Sequence, residues 1–307
     1  MDFRLFVEPQ NGASFEDQLR AAQLAEQVGF DGFFRSDHFL AIGGMDGLPG
    51  PTDSWITLGA IALATSRLRL GTLVSSATFR HPSLAAIQVA QVDQMSGGRV
   101  ELGLGTGWYE AEHTAYGFPF PAKRFGPFQE QLEIITGLWG TPLGSRFSYA
   151  GEHYRLEDAP ALPKPVQERI PVIIGGSGAT KTPQIAARFA DEFNAFRASD
   201  EIIRERIARV QDAAAAAGRE PGAITFSLAG TTAIGATEAD VAQRAEAAGS
   251  TPERLRANGF AGTPSEVVDL LGRLGELGVT RAYFQVMRMQ DLAHIEFIGS
   301  EVLPRLR

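Results

Sequence analysis

Short apolar runs alternate along the chain with longer stretches in which apolar residues recur every three or four positions. The short runs are FRLFVE (3–8), GFFR (32–35), LRLGTLV (68–74), VELGLG (100–105), PVIIGG (171–176), EFNAF (192–196), TFSLAG (225–230) and RAYFQV (281–286). They show little polar alternation, as strands covered on both faces should. Helical periodicity covers 15–28, 54–65, 84–95, 180–189, 202–217 and 264–277. Several of these helices run into a glycine just before the next strand, as at Val28-Gly29 and Leu277-Gly278, which is helix C-cap chemistry. Strand and helix in alternation imply a parallel sheet. Eight such units fit a (β/α)₈ TIM barrel better than an open doubly wound sheet, although the same periodicity is compatible with both.

No shift in composition marks a second domain, so residues 1–307 read as one. The longest interval between strands, 105–170, is too long for a plain loop. It holds one helical pattern (125–139) and a hairpin pattern, RFSYAGEHYRL (146–156). The expectation is an insertion of about 109–170 after strand four that covers the C-terminal mouth of the barrel. A second irregular stretch, 248–262, is a further candidate cover.

The totals narrow the function. With 307 residues, 44% hydrophobic and 21% charged, a full core needs no staples. A formal net charge of −8 argues against nucleic acid as the main partner. There is no cysteine, hence no thiolate metal site and no cysteine nucleophile. No basic region followed by an apolar stretch opens the chain, and no apolar run approaches ~18 residues, so a cytoplasmic protein acting on a small molecule, with no membrane partner, is expected.

In a barrel of this type, chemistry gathers at the C-terminal ends of the strands. There the chain places Glu8, then Ser36-Asp37-His38, Ser75-Ser76, Gly103 to Trp108, Gly175-Gly176-Ser177-Gly178 and Arg197. His38 can carry a proton near neutral pH and Asp37 can accept hydrogen bonds from a ligand. The plainer alternative is that Asp37 caps a turn and His38 sits satisfied at the surface. GGSGATKT (175–182) follows a strand and opens a helix, which suits a phosphate, although it is neither a Walker A nor a dinucleotide fingerprint. GLGTGW (103–108) suggests backbone laid against a flat ligand. His38, His81, His113 and Glu112 have no metal-ligand spacing, so no metal is expected, and no GxSxG elbow is present.

Taken together, AEQVGFDGFFRSDHF (25–39), LRLGTLVSSATFRHPSLAA (68–86), DQMSGGRVELGLGTGWYEAEHTAYG (93–117), IPVIIGGSG (170–178) and GTPSEVVDLL (262–271) resemble the bacterial luciferase-like superfamily, and within it the coenzyme F420-dependent oxidoreductases. The resemblance implies a deazaflavin or flavin across the barrel mouth. By that likeness Asp37 contacts the ring, and His38 is the catalytic proton donor. The same likeness implies a non-prolyl cis peptide at Leu73-Val74, behind the ring. Ser76, Thr106, Gly107 and Ala111 contact the ring and ribityl chain, and Gly175, Gly176, Ser177 and Gly178 hold the phosphate. Sugar-phosphate dehydrogenases of that family carry a catalytic glutamate where this chain has Trp108. A substrate pocket lined by Phe39, Trp55, Trp108 and Tyr109, with Phe118 and Phe120 nearby, suits a hydrophobic substrate reduced at C=C, C=N or C=O, or an alcohol oxidised. Relatives commonly form homodimers, so a homodimer is expected. The rival expectations are an FMN-dependent two-component monooxygenase and a non-catalytic cofactor-binding protein.

Overall fold

The eight apolar runs become eight parallel strands that close on themselves. The computed structural model describes residues Met1–Arg307. In chain order the strands are β1 (Asp2–Val7), β2 (Gly32–Arg35), β3 (Arg69–Thr72), β4 (Ser75–Ser76), β5 (Val100–Gly105), β6 (Phe147–Ala150), β7 (Arg155–Ala159), β8 (Val172–Gly175), β9 (Glu192–Phe196), β10 (Thr225–Ile234), β11 (Phe260–Gly262) and β12 (Arg281–Val286). The helices are α1 (Phe15–Gln27), α2 (Ser54–Ala64), α3 (Pro82–Ser96), α4 (Glu110–Tyr116), α5 (Phe125–Gly140), α6 (Lys181–Phe189), α7 (Asp200–Ala216), α8 (Glu238–Ala247), α9 (Pro252–Asn258), α10 (Pro264–Glu276) and α11 (Leu292–Glu301).

Around the barrel the order is β1, β2, β3 with β4, β5, β8, β9, β10 and β12, which pairs back onto β1. The pairing of β9 with β10, Glu192 opposite Thr225 and Phe196 opposite Ala229, closes the ring and excludes the open sheet. β3 and β4 are one strand interrupted at Leu73-Val74, whose peptide bond is cis as the resemblance implies.

Most side chains between strands and helices are apolar and form one continuous core. The barrel interior differs at its two ends. At the N-terminal end, buried Arg4 donates to Glu101 (Nη2 to Oε1, 2.9 Å), and Arg281 joins Asp2 and Glu192. Burial would raise the Glu101 carboxyl, but the Arg4 and Arg281 guanidiniums hold it well below the usual range. Above this layer lies an apolar plug of Phe6, Phe34, Leu73, Ile173, Ala229 and Tyr283. The plug separates the ionic floor from the mouth, so the mouth opens over an apolar surface.

The interval between β5 and β8 divides into three parts. Residues 106–124, which include α4, lie over the mouth. α5 packs between α3 and α6 and takes the ordinary outer-ring place of a barrel helix. The hairpin β6–β7 lies outside the barrel against α5, where Glu130 accepts from the backbone N–H groups of Glu152 (2.8 Å), His153 (3.0 Å) and Tyr154 (3.0 Å). The lid therefore covers a shorter span than 109–170. The 248–262 stretch becomes α9 and β11. β11 extends the C-terminal end of β10 at Thr232–Ile234, and none of its residues reaches the mouth cavity. Four helices, α4, α8, α9 and α11, lie beyond the helical patterns read from the sequence. The start of α8 is legible in retrospect: Thr237 and Asp240 form a reciprocal capping box.

Candidate active site

At the C-terminal mouth the strand ends surround a cavity of about 580 Å³. Its apolar base is Phe6, Leu73 and Val74. One side carries Glu8, Ser36, Asp37 and His38, the other Gly175 to Gly178, Thr182 and Asn194, and Thr106 to Tyr109 lie between.

Asp37 is 1% exposed and fully engaged. It accepts from Ser75 Oγ at 2.7 Å and from both terminal nitrogens of Arg80, whose Nη2 also donates to Asp53 at 2.6 Å. Burial pushes the Asp37 carboxyl up, but the Arg80 charge and hydrogen bonds outweigh it and hold the group below its ordinary range. Asp53 in turn caps the N-terminus of α2 through the N–H groups of Trp55 and Ile56. One arginine thus ties the end of β2 to the start of α2, and fixes the turn on which His38 stands.

His38 is held by Glu112. Its Nδ1 lies 3.0 Å from Oε2 of Glu112, and a carboxylate can only accept, so Nδ1 donates. Nε2 has no partner within the chain. Oε1 of Glu112 accepts from the backbone N–H groups of Phe39 and Leu40, the latter at 3.0 Å. Burial lowers the affinity of the ring for a second proton, but the hydrogen bond and charge of Glu112, with the charges of Glu8 and Asp37, outweigh it, and the His38 pKa is raised from its ordinary value. The ring packs edge-on to Trp108 (5.7 Å between centroids) and Tyr109 (6.2 Å). Trp108 and Tyr109 stack at 5.1 Å, and Trp108 remains 63% exposed at the mouth.

Most of the expected site residues converge here: Asp37, His38, Leu73, Val74, Ser76, Thr106, Gly107, Trp108, Tyr109, Gly175, Gly176, Ser177 and Gly178 all line the cavity. Three do not. Trp55 is 3% exposed and points inward from α2 with Leu58 and Ile61 into the main core, because those positions share the helix face that meets the barrel. Phe39 turns away into an aromatic cluster with Phe79 (5.2 Å), Phe118 (5.7 Å) and Tyr116 (6.0 Å). Ala111 lies on the solvent side of α4, and its neighbours Glu112 and His113 face inward instead. Phe118 and Phe120 pack around His113 and do not line the cavity. Arg80 and Arg206 were not legible as site residues. Arg206, from α7, lines the far end of the cavity beside the glycine loop and donates to the carbonyl of Phe196 at 2.9 Å. Glu112 carried a weak signal only as one acid among three histidines with no metal spacing.

The shape fits a long ligand with a flat apolar head and an anionic tail. The head end has Leu73 and Val74 behind it. At Gly107, φ is +77° and a Cβ would come within 2.3 Å of Ser76 Oγ, so a side chain there would require a strained backbone and a displaced Ser76 hydroxyl. At the tail end Gly176 adopts φ +149° and α6 starts without a side-chain cap at Thr180, which leaves backbone N–H groups free. Arg206 adds positive charge. These residues fit a phosphorylated flavin or deazaflavin.

The sequence pattern of luciferase-like monooxygenases matches residues 1–267. The chain belongs to the luciferase-like monooxygenase family. It is 31% identical over 314 residues to an F420-dependent glucose-6-phosphate dehydrogenase of Microbacterium testaceum, covering 92% of this chain and 91% of that protein. It is 26% identical over 337 residues to an FMNH(2)-dependent dimethylsulfone monooxygenase of Pseudomonas putida, covering 98% of this chain and 90% of the relative. An F420-dependent secondary alcohol dehydrogenase, solved with an F420-acetone adduct, superposes over 100% of this chain and 99% of its own with a TM-score of 0.86 at 20% identity, which bears on the fold alone. This luciferase-like chain thus has relatives of both cofactor classes. No helix is long and apolar enough to cross a membrane.

Proposed function

We propose that this luciferase-like protein is an F420-dependent oxidoreductase that transfers a hydride between C5 of the deazaflavin and a small hydrophobic substrate. The observation that carries the reading is His38, whose free Nε2 stands in the same cavity as the glycine loop past β8. The bound deazaflavin supplies or takes the hydride. The protein holds its phosphate at Gly175 to Gly178, backs its ring with Leu73-Val74, and moves the accompanying proton at His38 Nε2. The relative at 31% identity over nearly the whole chain supports F420 over FMN.

Trp108 and Tyr109 stand over His38 where a second acid would be needed for a sugar phosphate. A stacked aromatic pair beside the proton carrier favours an apolar or aromatic partner with a C=C, C=N or C=O bond, or the corresponding alcohol. Fluorescence titration of the apoprotein with coenzyme F420 and, separately, with FMN tests the cofactor. Micromolar or tighter F420 binding with weaker FMN binding is expected. The reverse order would overturn the reading in favour of a two-component monooxygenase.

A homodimer through α2 and α3 goes with this proposal. α2 has no charged residue, and the one charge of α3, Asp93, is buried. The two helices pack side by side and expose Ile56, Leu63, Leu84 and Ile87 by 75, 71, 49 and 41%. By contrast, α1, α7 and α10 present charged side chains to solvent. Copies that each carry −8 repel one another, so an uncharged face is where a second copy can approach.

A further inference from the structure

We propose that Glu112 is the positioning residue for His38: its buried carboxylate sets which ring nitrogen keeps a proton and which faces the substrate. The proposal rests on the proton-carrier role assigned to His38, and its test is built to fail separately from it.

Three observations carry it. Glu112 is fully buried, and no lysine or arginine pairs with it; His38 is its one ion-pair partner. A buried carboxylate with no counter-charge is costly, so the protonated imidazole is the charge that this site can supply. Next, the two oxygens divide their work. Oε1 holds the backbone of Phe39 and Leu40, and Oε2 holds Nδ1 of the ring. The turn and the ring are therefore aligned by one rigid group on one helix. Third, the ring has little freedom left, since Trp108 and Tyr109 pack against it and its side chain is only 15% exposed.

The consequence for chemistry is directional. Nδ1 donates to Glu112 in both charge states, so only Nε2 gains or loses a proton. In reduction of a carbonyl, the Nε2–H bond breaks, its electron pair stays on Nε2, and the substrate oxygen gains the proton. Nδ1–H and the Glu112 carboxylate are unchanged. In alcohol oxidation the same proton returns to Nε2. The other acidic groups that face the ring are Glu8, from the loop after β1, and Asp37. Asp37 is already paired with Arg80, and Glu8 accepts from Gln10 and from Gln285 (2.7 Å), so neither replaces Glu112 at Nδ1. Burial of the ring opposes its charge, and Glu112, the largest of the opposing influences, outweighs it together with the charges of Glu8 and Asp37.

The test is Glu112→Gln. The amide keeps the shape and can still accept from Phe39 and Leu40, but its NH₂ can only donate to Nδ1. Nitrogen-resolved NMR of the five histidines in the apoprotein, with the His38 signals assigned by their loss in His38→Asn, reads the ring directly. In the wild type the neutral ring should be the Nδ1–H tautomer and titrate above free histidine. In Glu112→Gln it should switch to Nε2–H and titrate at least tenfold more acid in proton affinity. The matching limb of the kcat–pH profile should move with it while KM changes little, and Glu112→Asp should bring the limb back toward the wild type. A folded Glu112→Gln with unchanged tautomer and titration overturns the proposal. So does a wild-type ring that is Nε2–H or titrates at or below free histidine, a result that decides the matter even if the variant does not fold. Failure of the cofactor titration alone would leave these NMR outcomes standing.

Discussion

Replacing Arg80 with methionine isolates the brace beneath the active site. Arg80 is 9% exposed and spans two carboxylates, Asp37 at 1% and Asp53 at 28%. In Arg80→Met, Asp37 keeps only Ser75 as a hydrogen-bond donor among the side chains that now hold it. A buried carboxylate in that position neutralises sooner than it stays charged. Neutralising an acid with an ordinary pKa of about 3.9 costs about 4 kcal/mol at pH 7, within the ~3–5 kcal/mol typical of a broken buried pair. The partly exposed Asp53 contact adds less than ~1 kcal/mol. At about 2 cal/mol/K of unfolding entropy per residue, the melting temperature should fall by about 6–8 °C. The cost has a pH signature, because protonation becomes easier as pH drops: at pH 5 the deficit should shrink to about 1.5 kcal/mol. Thermal melts of wild type and variant across pH 5–7 measure this. Asp37→Asn combined with Arg80→Met should recover part of the loss, since Asp37 is then no longer a buried carboxylate without its arginine and only the partly exposed Asp53 loses a partner. A deficit below ~1 kcal/mol at pH 7, or one that does not shrink toward pH 5, refutes the reasoning.

Trp108→Glu restores an acid beside His38 and removes the stacked wall, so it should weaken turnover of apolar substrates by tenfold or more in kcat/KM; unchanged kinetics on such substrates would count against the aromatic pocket. His294 is buried and accepts from the backbone N–H of Ile234 at 3.2 Å; burial, aided by the nearby Arg244 charge, pushes it down to about 3. Below an unfolded pKa of about 6.5 the unfolded chain binds a proton that the folded one refuses, so wild-type stability should fall by up to ~1.4 kcal/mol per pH unit from that point toward pH 3. His294→Gln should flatten this slope, and parallel slopes for the two proteins would exclude His294 as its source. Ile56→Glu with Leu63→Glu puts charge on the exposed face of α2 and should convert a dimer into a monomer by light scattering, with the melting profile of the barrel retained; a wild type that is already monomeric removes that interface.

The alternating pattern of apolar runs and helical periods was sufficient for the eight parallel strands and their order along the chain. The strands 32–35, 100–105, 192–196 and 281–286 fall where the pattern puts them, because a strand covered on both faces is predominantly apolar with little polar alternation, and the few charged positions, such as Glu101 and Arg281, pair with one another inside the barrel. The strand ends were legible too, since glycine and polar residues cluster wherever the backbone leaves the sheet. Three things belonged to the tertiary structure alone. Closure of β9 on β10 leaves no mark on local periodicity. The side that Phe39, Trp55 and Ala111 face depends on what packs against the turn or helix, and apolar character serves a core as well as a pocket. The pairings of Asp37 with Arg80 and of His38 with Glu112 join residues 43 and 74 positions apart. Arg80 and Glu112 read locally as ordinary surface charges, and only the convergence of β2, the β4–α3 turn and α4 at one end of the barrel brings them within hydrogen-bond distance of Asp37 and His38.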